Sequence, residues 1–366
     1  MIEQDSRVFF MEEVSIDVKK STFTALNFFE ARKMCVMLFL AVVMMAGGMV
    51  TICLGTYHIS IPEVYSIIAT HLFSPDNADS LNKLKNTIVW NIRFPRVIMA
   101  ITVGIGLSVA GAIYQGCFRN PLVEPYILGV SSGAAFGAAL GIVYPHIFVS
   151  IQLGAFAFAS LSVFLAYTLA RSRGQTPVVT LVLAGIIIGS IFSACVSIMK
   201  YLSNDTQLRE IVFWMMGGFY YTTWDDVYLT VPVVLISVVI MWFFGWKLNV
   251  LSMGDEEARA LGVNPEVFKF IFIVLATLVT AICVSSVGII AWVGLMMPHA
   301  ARLIQGPDNR FVIPTAALMG GVYIIFCDTI ARTLTSAEIP IGIITAIVGA
   351  PYLVYLLRSK EKEIFG

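Results

Sequence analysis

The chain has 366 residues, 58% of them apolar and 13% charged, with 23 basic and 23 acidic side chains and a formal net charge of zero; its mean hydropathy is +0.86. Soluble domains average about 45–50% apolar and about 25% charged residues. The excess here is more than one core can hide, so the composition excludes a soluble domain and makes lipid the solvent; the balanced charge argues against a nucleic-acid partner.

In chain order, a polar segment of residues 1–33 comes first and is followed by an apolar run over 34–54. A run placed that far in reads as a membrane span rather than a cleavable signal. Further charge-free runs occupy 97–118, 125–170, 174–199, 227–246, 270–301, 311–327 and 339–357. One span takes about 20 apolar residues. Run 125–170 therefore holds two, parted near Tyr144, Pro145 and His146. Run 270–301, about 48 Å long as a helix against a hydrocarbon core of about 30 Å, is expected to break near Val287 and Gly288.

The expectation is an all-α polytopic membrane protein of about ten transmembrane helices; leaving 270–301 as one bent span would give nine. A single transmembrane domain covers 34–358 and a cytoplasmic tail 359–366. Lys and Arg counts test the orientation: with both termini cytoplasmic, 16 lie inside and 7 outside, as the positive-inside rule requires. No Asp, Glu, Lys or Arg falls at the middle of a predicted span, which weighs against a carrier driven by protons or sodium.

Arg93, Phe94, Pro95 and Arg96 stand just before the second span, and Arg332 just after the ninth. Exposed arginines can receive carboxylates of a docking protein. They can equally be interfacial anchors, or Arg332 can pair with Asp328 one turn earlier. On residues alone the anchor reading ranks first. The turn Arg119, Asn120, Pro121, Leu122, Val123, Glu124, Pro125 is stiffened by two prolines. Gly129, Gly133, Gly137 and Gly141 recur every four residues, a stripe on which helices can pack closely.

Between the sixth and seventh spans, Gly254, Asp255, Glu256, Glu257, Ala258, Arg259, Ala260, Leu261 and Gly262 form a short amphipathic helix. Its acidic first turn suits the helix dipole, and Gly262 with Pro265 ends it. Ala258 and Leu261 are expected on one face. The segment fits either insertion into a partner's groove or a solvated connection. The six cysteines lie singly in apolar runs and read as small hydrophobes. His299 reads as a packing residue near a cytoplasmic helix end rather than a metal ligand. There is no phosphate-loop sequence and no Ser/His/Asp or His-Glu-x-x-His pattern, so ATP binding and membrane-enzyme chemistry find no support.

Taken together, the motifs resemble the permease subunits of type II ATP-binding-cassette importers, the iron-siderophore, haem and vitamin B12 uptake family. The resemblance runs from about residue 50 onward. It is carried by Arg93 to Arg96, Gly111 to Gly116 with Arg119 to Leu122, Leu128 to Ala134, and Gly254 to Gly262. Gly294 with Pro298 to Arg302, Gly306 to Asp308, Asp328 to Arg332, Glu338 to Gly342 and Gly349 to Pro351 complete it.

The resemblance implies ten helices per subunit and a homodimer around a central pathway for a ferric siderophore or haem. Cobalamin comes second and molybdate third. It makes 254–262 the helix that docks on the ATPase, and gives Arg93, Arg96 and Arg332 to a substrate-binding protein outside. Asn120, Pro121 and Leu122 would form one cytoplasmic gate, and Val178 and Val179 an apolar counterpart of a second. ATP and magnesium would sit on two separate ATPase subunits, leaving this chain without catalytic residues, metal or cofactor. The polar segment 1–33 is longer than the family leads one to expect.

Overall fold

The charge-free runs are helices in the computed structural model, which describes residues 30–55, 57–74, 82–146, 150–172, 175–335 and 337–364, with side chains described as far as residue 354. Most of the polar N-terminal segment lies outside the described residues. Among those described, the only pairing of extended backbone is an isolated antiparallel bridge between Ser172 and Gln175.

The helices are α1 (Glu30–Cys53), α2 (Ile61–Phe73), α3 (Lys83–Asn86), α4 (Phe94–Phe118), α5 (Val130–Val143), α6 (Ile151–Ala170), α7 (Val178–Leu202) and α8 (Asp205–Met216). They continue with α9 (Trp224–Phe243), α10 (Gly245–Met253), α11 (Asp255–Ala260), α12 (Pro265–Val287), α13 (Val293–Gln305), α14 (Asn309–Thr333) and α15 (Ile341–Ile364). Among the described residues, seven helices are long and apolar enough to cross a membrane: α1, the rod ending in α4, α6, α7, α9, α12 and α14. The three other expected runs also carry helices. Two of these, α5 and the Ile341–Val354 part of α15, are apolar but short; α13 has 13 residues.

Both expected breaks occur. Val143 ends α5 and Ile151 starts α6, while α12 stops at Val287 with Gly288 as its C-cap. Residues 288–292 are unwound, and α13 starts after Trp292, which adopts a left-handed φ of 76°.

The centre of the fold is α4, which packs against α9, α12, α13 and α14. Lipid gives helices no hydrophobic reason to associate, so small residues that admit close contact do the work. A Cβ on Gly111 would sit 1.8 Å from the carbonyl oxygen of Gly294, so only glycine lets α4 and α13 cross there. A second group joins α5, α6 and α7, and α12 bridges it to α4. Peripheral α1 lies along α4 and α14, with Gly48 against Val97 and Ile101 and a 3.0 Å bond between the hydroxyls of Thr51 and Thr329.

Several short helices lie outside the charge-free runs. A π-helical turn over Thr87–Arg93 fuses α3 to α4, making one 36-residue rod from Lys83 to Phe118. The wider turn comes directly before Pro95, which has no N–H to give to the helix ladder. Against this rod packs α2, whose N-terminus is held by the Ser60 N–H donating to the Glu63 carboxylate at 3.3 Å. Ile52, Ile59, Val64, Ile67, Val89 and Val97 form the core beneath it. On the other side α8 covers the end of α5, its Gln207 amide donating to the carbonyls of Ile142 and Val143 at 3.4 and 3.3 Å.

Candidate functional site: a cationic cavity and a short helix at opposite ends of α4

At the N-terminal end of α4, Arg93 and Arg96 meet Arg332 of α14. Arg93 donates from Nη1 to the carbonyls of Ile52 and Cys53 at 3.0 and 3.3 Å, and from Nη2 to that of Tyr57 at 2.6 Å. Arg96 grips Asp328 with Nε at 3.1 and 3.2 Å and with Nη2 at 2.9 Å, and donates from Nη1 to Glu338 at 2.8 Å. Arg332 donates to the carbonyl of Thr51, and its Nε lies 3.5 Å from Asp328.

The exposure expected of these arginines is corrected: they are 5%, 6% and 6% exposed. The cause is the rod itself, which runs on N-terminally to Lys83 instead of starting at residue 97 and so carries Arg93, in the π-helical turn, and Arg96, in the first turn of α4, into packed structure. Buried charges survive when paired and hydrogen-bonded, and Asp328, 1% exposed, answers two guanidiniums at once.

The arginines are nonetheless reachable. A cavity of about 200 Å³ is lined by Arg93, Arg96, Arg332 and Glu338, with Tyr57 and Ile92 among its walls. Three guanidiniums face two carboxylates, Asp328 and Glu338, which leaves one positive charge in excess. Outside the cavity lining, Tyr220 in the loop after α8 has a buried hydroxyl with no hydrogen-bond partner among the described residues. Burial pushes its pKa up to about 12 against the opposing pull of Arg96, so it remains a donor at neutral pH. Such a cavity can take an incoming carboxylate through charge-assisted bonds.

At the other end of α4, the expected helix over 254–262 is shorter, α11 covering Asp255–Ala260 between Gly254 and Gly262. The expectation that Ala258 and Leu261 share a face is corrected. Ala258 is fully buried, whereas Leu261 follows the last helical residue and is 54% exposed. The exposed side is formed by Glu256, Glu257, Arg259, Ala260 and Leu261. Asp255 is tied at 2.6 Å to the ammonium of Lys269, which is buried in α12. Ser252, at the end of α10, donates to the carbonyl of Gly116 in α4 at 3.3 Å.

The turn following α4 begins with Arg119 in left-handed conformation at φ 53°. Asn120 accepts from the N–H of Leu122 at 3.0 Å, and Asn120, Pro121 and Leu122 are all exposed. Val178 and Val179 are the first residues of α7, the former half-buried and the latter 80% exposed. Beside them Thr176 donates its N–H to Glu266 of α12 at 3.1 Å.

Of the glycine stripe, Gly133, Gly137 and Gly141 face α6, and a Cβ on Gly137 would stand 2.1 Å from the carbonyl oxygen of Gly154. Gly129 is not part of the helix. It is the residue before it, at φ 79°, set against Ser162 and Gly189.

The sequence reading passed over the grip of the α4 region on the α12–α13 break. Gln115 Nε2 donates to the carbonyls of Gly294 and Leu295 at 3.3 and 3.2 Å, and Arg302 donates to Gln115 Oε1. The Tyr126 hydroxyl donates to the carbonyl of Ile290 at 2.7 Å. Burial raises the pKa of Glu124 above the ordinary carboxylate range, opposed by the bond it accepts from the Trp292 N–H.

Long apolar helices joined by short polar segments, with ion pairs and hydrogen bonds gathered at the two ends of α4, describe a polytopic membrane protein. The chain belongs to the FecCD transport family, whose sequence pattern matches residues 39–359. It is 42% identical to the cobalamin import system permease of Halobacterium salinarum over 75% of this chain and 74% of that protein. It is 38% identical to the hemin transport system permease of Yersinia pestis, over 77% and 88% of the two chains. With the molybdate import system permease of Haemophilus influenzae it shares 34% identity over 87% and 95%.

In structure it is similar to a metal-chelate type ABC transporter solved in an inward-facing conformation. The TM-score is 0.78 and the identity 32%, covering 88% of this chain and 99% of that one. The resemblance drawn from the motifs is thus met, and the chain is a multi-pass membrane permease of the ABC-importer type.

Proposed function

We propose that the chain is one half of a homodimeric pathway that imports a metal chelate, with ferric siderophore or haem the first substrate class and cobalamin the second. It crosses the membrane ten times with both termini in the cytoplasm, with α5, α13 and α15 completing the seven long ones. The carrying observation is the layout of α4. One helix of 25 residues, about 38 Å long, bears the cationic cavity at its first turn and abuts the segment leading into α11 at its last.

On this reading the cavity faces outward and receives an acidic side chain of a substrate-binding protein. On the cytoplasmic side, α11 docks into a groove on a separate ATPase subunit, which holds the ATP and magnesium. Its exposed Glu256 and Leu261 make the contact. The Asp255–Lys269 bridge passes movement of α11 directly to α12. Asn120, Pro121 and Leu122, with Val178 and Val179, stand where two copies of the chain close the pathway toward the cytoplasm. ATP-driven closure of the ATPase pair biases an equilibrium between outward- and inward-open states. Names of relatives, covering cobalamin, hemin and molybdate permeases, support a bulky or anionic metal-bearing cargo.

Competitive uptake into ATP-loaded vesicles with haemin, a ferric siderophore, cobalamin and molybdate separates the substrate classes. Accumulation of a chelate is the expected result; accumulation of molybdate alone would overturn the chelate assignment.

A further inference from the structure

Arg96 divides its nitrogens between two carboxylates of very different standing. Nε and Nη2 are held by Asp328, whose side chain is 1% exposed and whose backbone sits inside α14. Nη1 goes to Glu338, whose side chain is 39% exposed and which lies between α14 and α15. Glu338 also lines the cavity. The Asp328 pair is structural, because parting it strands buried charge. The Glu338 pair is half in water, where an ion pair contributes little and one carboxylate exchanges readily for another.

We infer that Glu338 is an internal competitor for the carboxylate of the docking protein: it holds Nη1 of Arg96 in the undocked chain and yields it when an Asp or Glu side chain enters the cavity. The inference rests on the docking reading above and adds a residue and a sign to it. Exchange keeps the guanidinium paired throughout, so Arg96 is never left bare in a low-dielectric site. It also caps affinity, since the partner gains only the difference between two similar bonds. A binding protein that must leave after each delivery is served by such a limit.

The experiment measures docking of the binding protein that co-purifies with the transporter onto the assembled complex in nanodiscs. Four forms are compared: parent, E338Q, R96Q and E210Q. Glu210 is an exposed acid on α8 that makes no ion pair among the described residues. E338Q is expected to tighten docking about two- to five-fold, equivalent to ~0.4–1 kcal/mol, and to slow release, while E210Q leaves both near the parent. A merely structural Glu338 would weaken docking when altered. Weakened or unchanged docking in E338Q, or equal tightening in E210Q from a general loss of negative charge, overturns the exchange. R96Q tests the parent reading separately. If R96Q leaves docking intact, the cavity is not the docking site; if R96Q weakens it and E338Q does not tighten it, only the exchange fails.

Discussion

Replacing Asp328 by Asn probes the most heavily committed carboxylate in the fold. The substitution keeps shape and some hydrogen bonding but removes the charge that faces Arg96 at 2.9 Å and Arg332 at 3.5 Å. With the partners' side chains 7%, 1% and 6% exposed, solvent screening gives little relief. Losing one partner of a buried pair costs about 3–5 kcal/mol, and Glu338 still compensates Arg96 in part, so a loss of about 3 kcal/mol is expected. A thiol-reactive fluorogenic dye reads the thermal transition in detergent, because Cys117, Cys283 and Cys327 are buried and react only on unfolding. The parent should unfold at a clearly higher temperature than D328N. Replacing Arg96 and Asp328 together by Met and Leu should cost less than the sum of the single changes, since the pair is coupled. A D328N chain that melts with the parent would refute the view that this network holds α4 to α14.

Further outcomes follow from individual contacts. Arg96→Glu should weaken docking of the binding protein by well over tenfold, the residual binding becoming less sensitive to salt; titration at two ionic strengths checks this. Leu261→Ser or Glu256→Lys should uncouple ATP hydrolysis from uptake while leaving the melting temperature near the parent's, because both side chains are exposed. Gly137→Val should destabilise by about 1–3 kcal/mol because its Cβ would meet a backbone carbonyl. Gly141→Ala should cost clearly less, its nearest neighbour being 3.4 Å away, and parallel melts rank the two. Glu124 has a raised pKa, so its neutral form favours the fold. That contribution is complete below the unfolded value and is lost as pH rises through the folded one. Glu124→Gln should therefore gain stability relative to the parent as pH rises above the ordinary carboxylate range, read from melts across a pH series.

The long apolar helices were legible because lipid demands long apolar runs, and even the break at Gly288 could be placed from excess length. The short helices were not. Charged residues in α2, α8 and the α3 turn hide them from a hydropathy reading, although the Ser60–Glu63 and Asn204–Gln207 spacings are cap signals in retrospect. The arginines were found by type but not by environment. A charge next to an apolar run reads as a boundary, and only the fold shows that Lys83 to Phe118 is one rod. The i,i+4 spacing of Asp328 and Arg332 announced their pairing. Nothing local announced that Arg96, 232 positions away, would take the greater share of that carboxylate. Glu338 was visible only as part of a motif. The short helix at 254–262 was read correctly in kind, but its buried face could not be chosen between Ala258 and Leu261 without knowing where the helix ends.

The most direct test reconstitutes the chain with its ATPase and binding protein in proteoliposomes and follows accumulation of labelled haemin, ferric siderophore and cobalamin. Uptake of one chelate is predicted that needs ATP on the ATPase side and the binding protein on the other, and that disappears when Leu261 and Glu256 are altered. Uptake driven by a pH gradient with the ATPase left out would contradict the account.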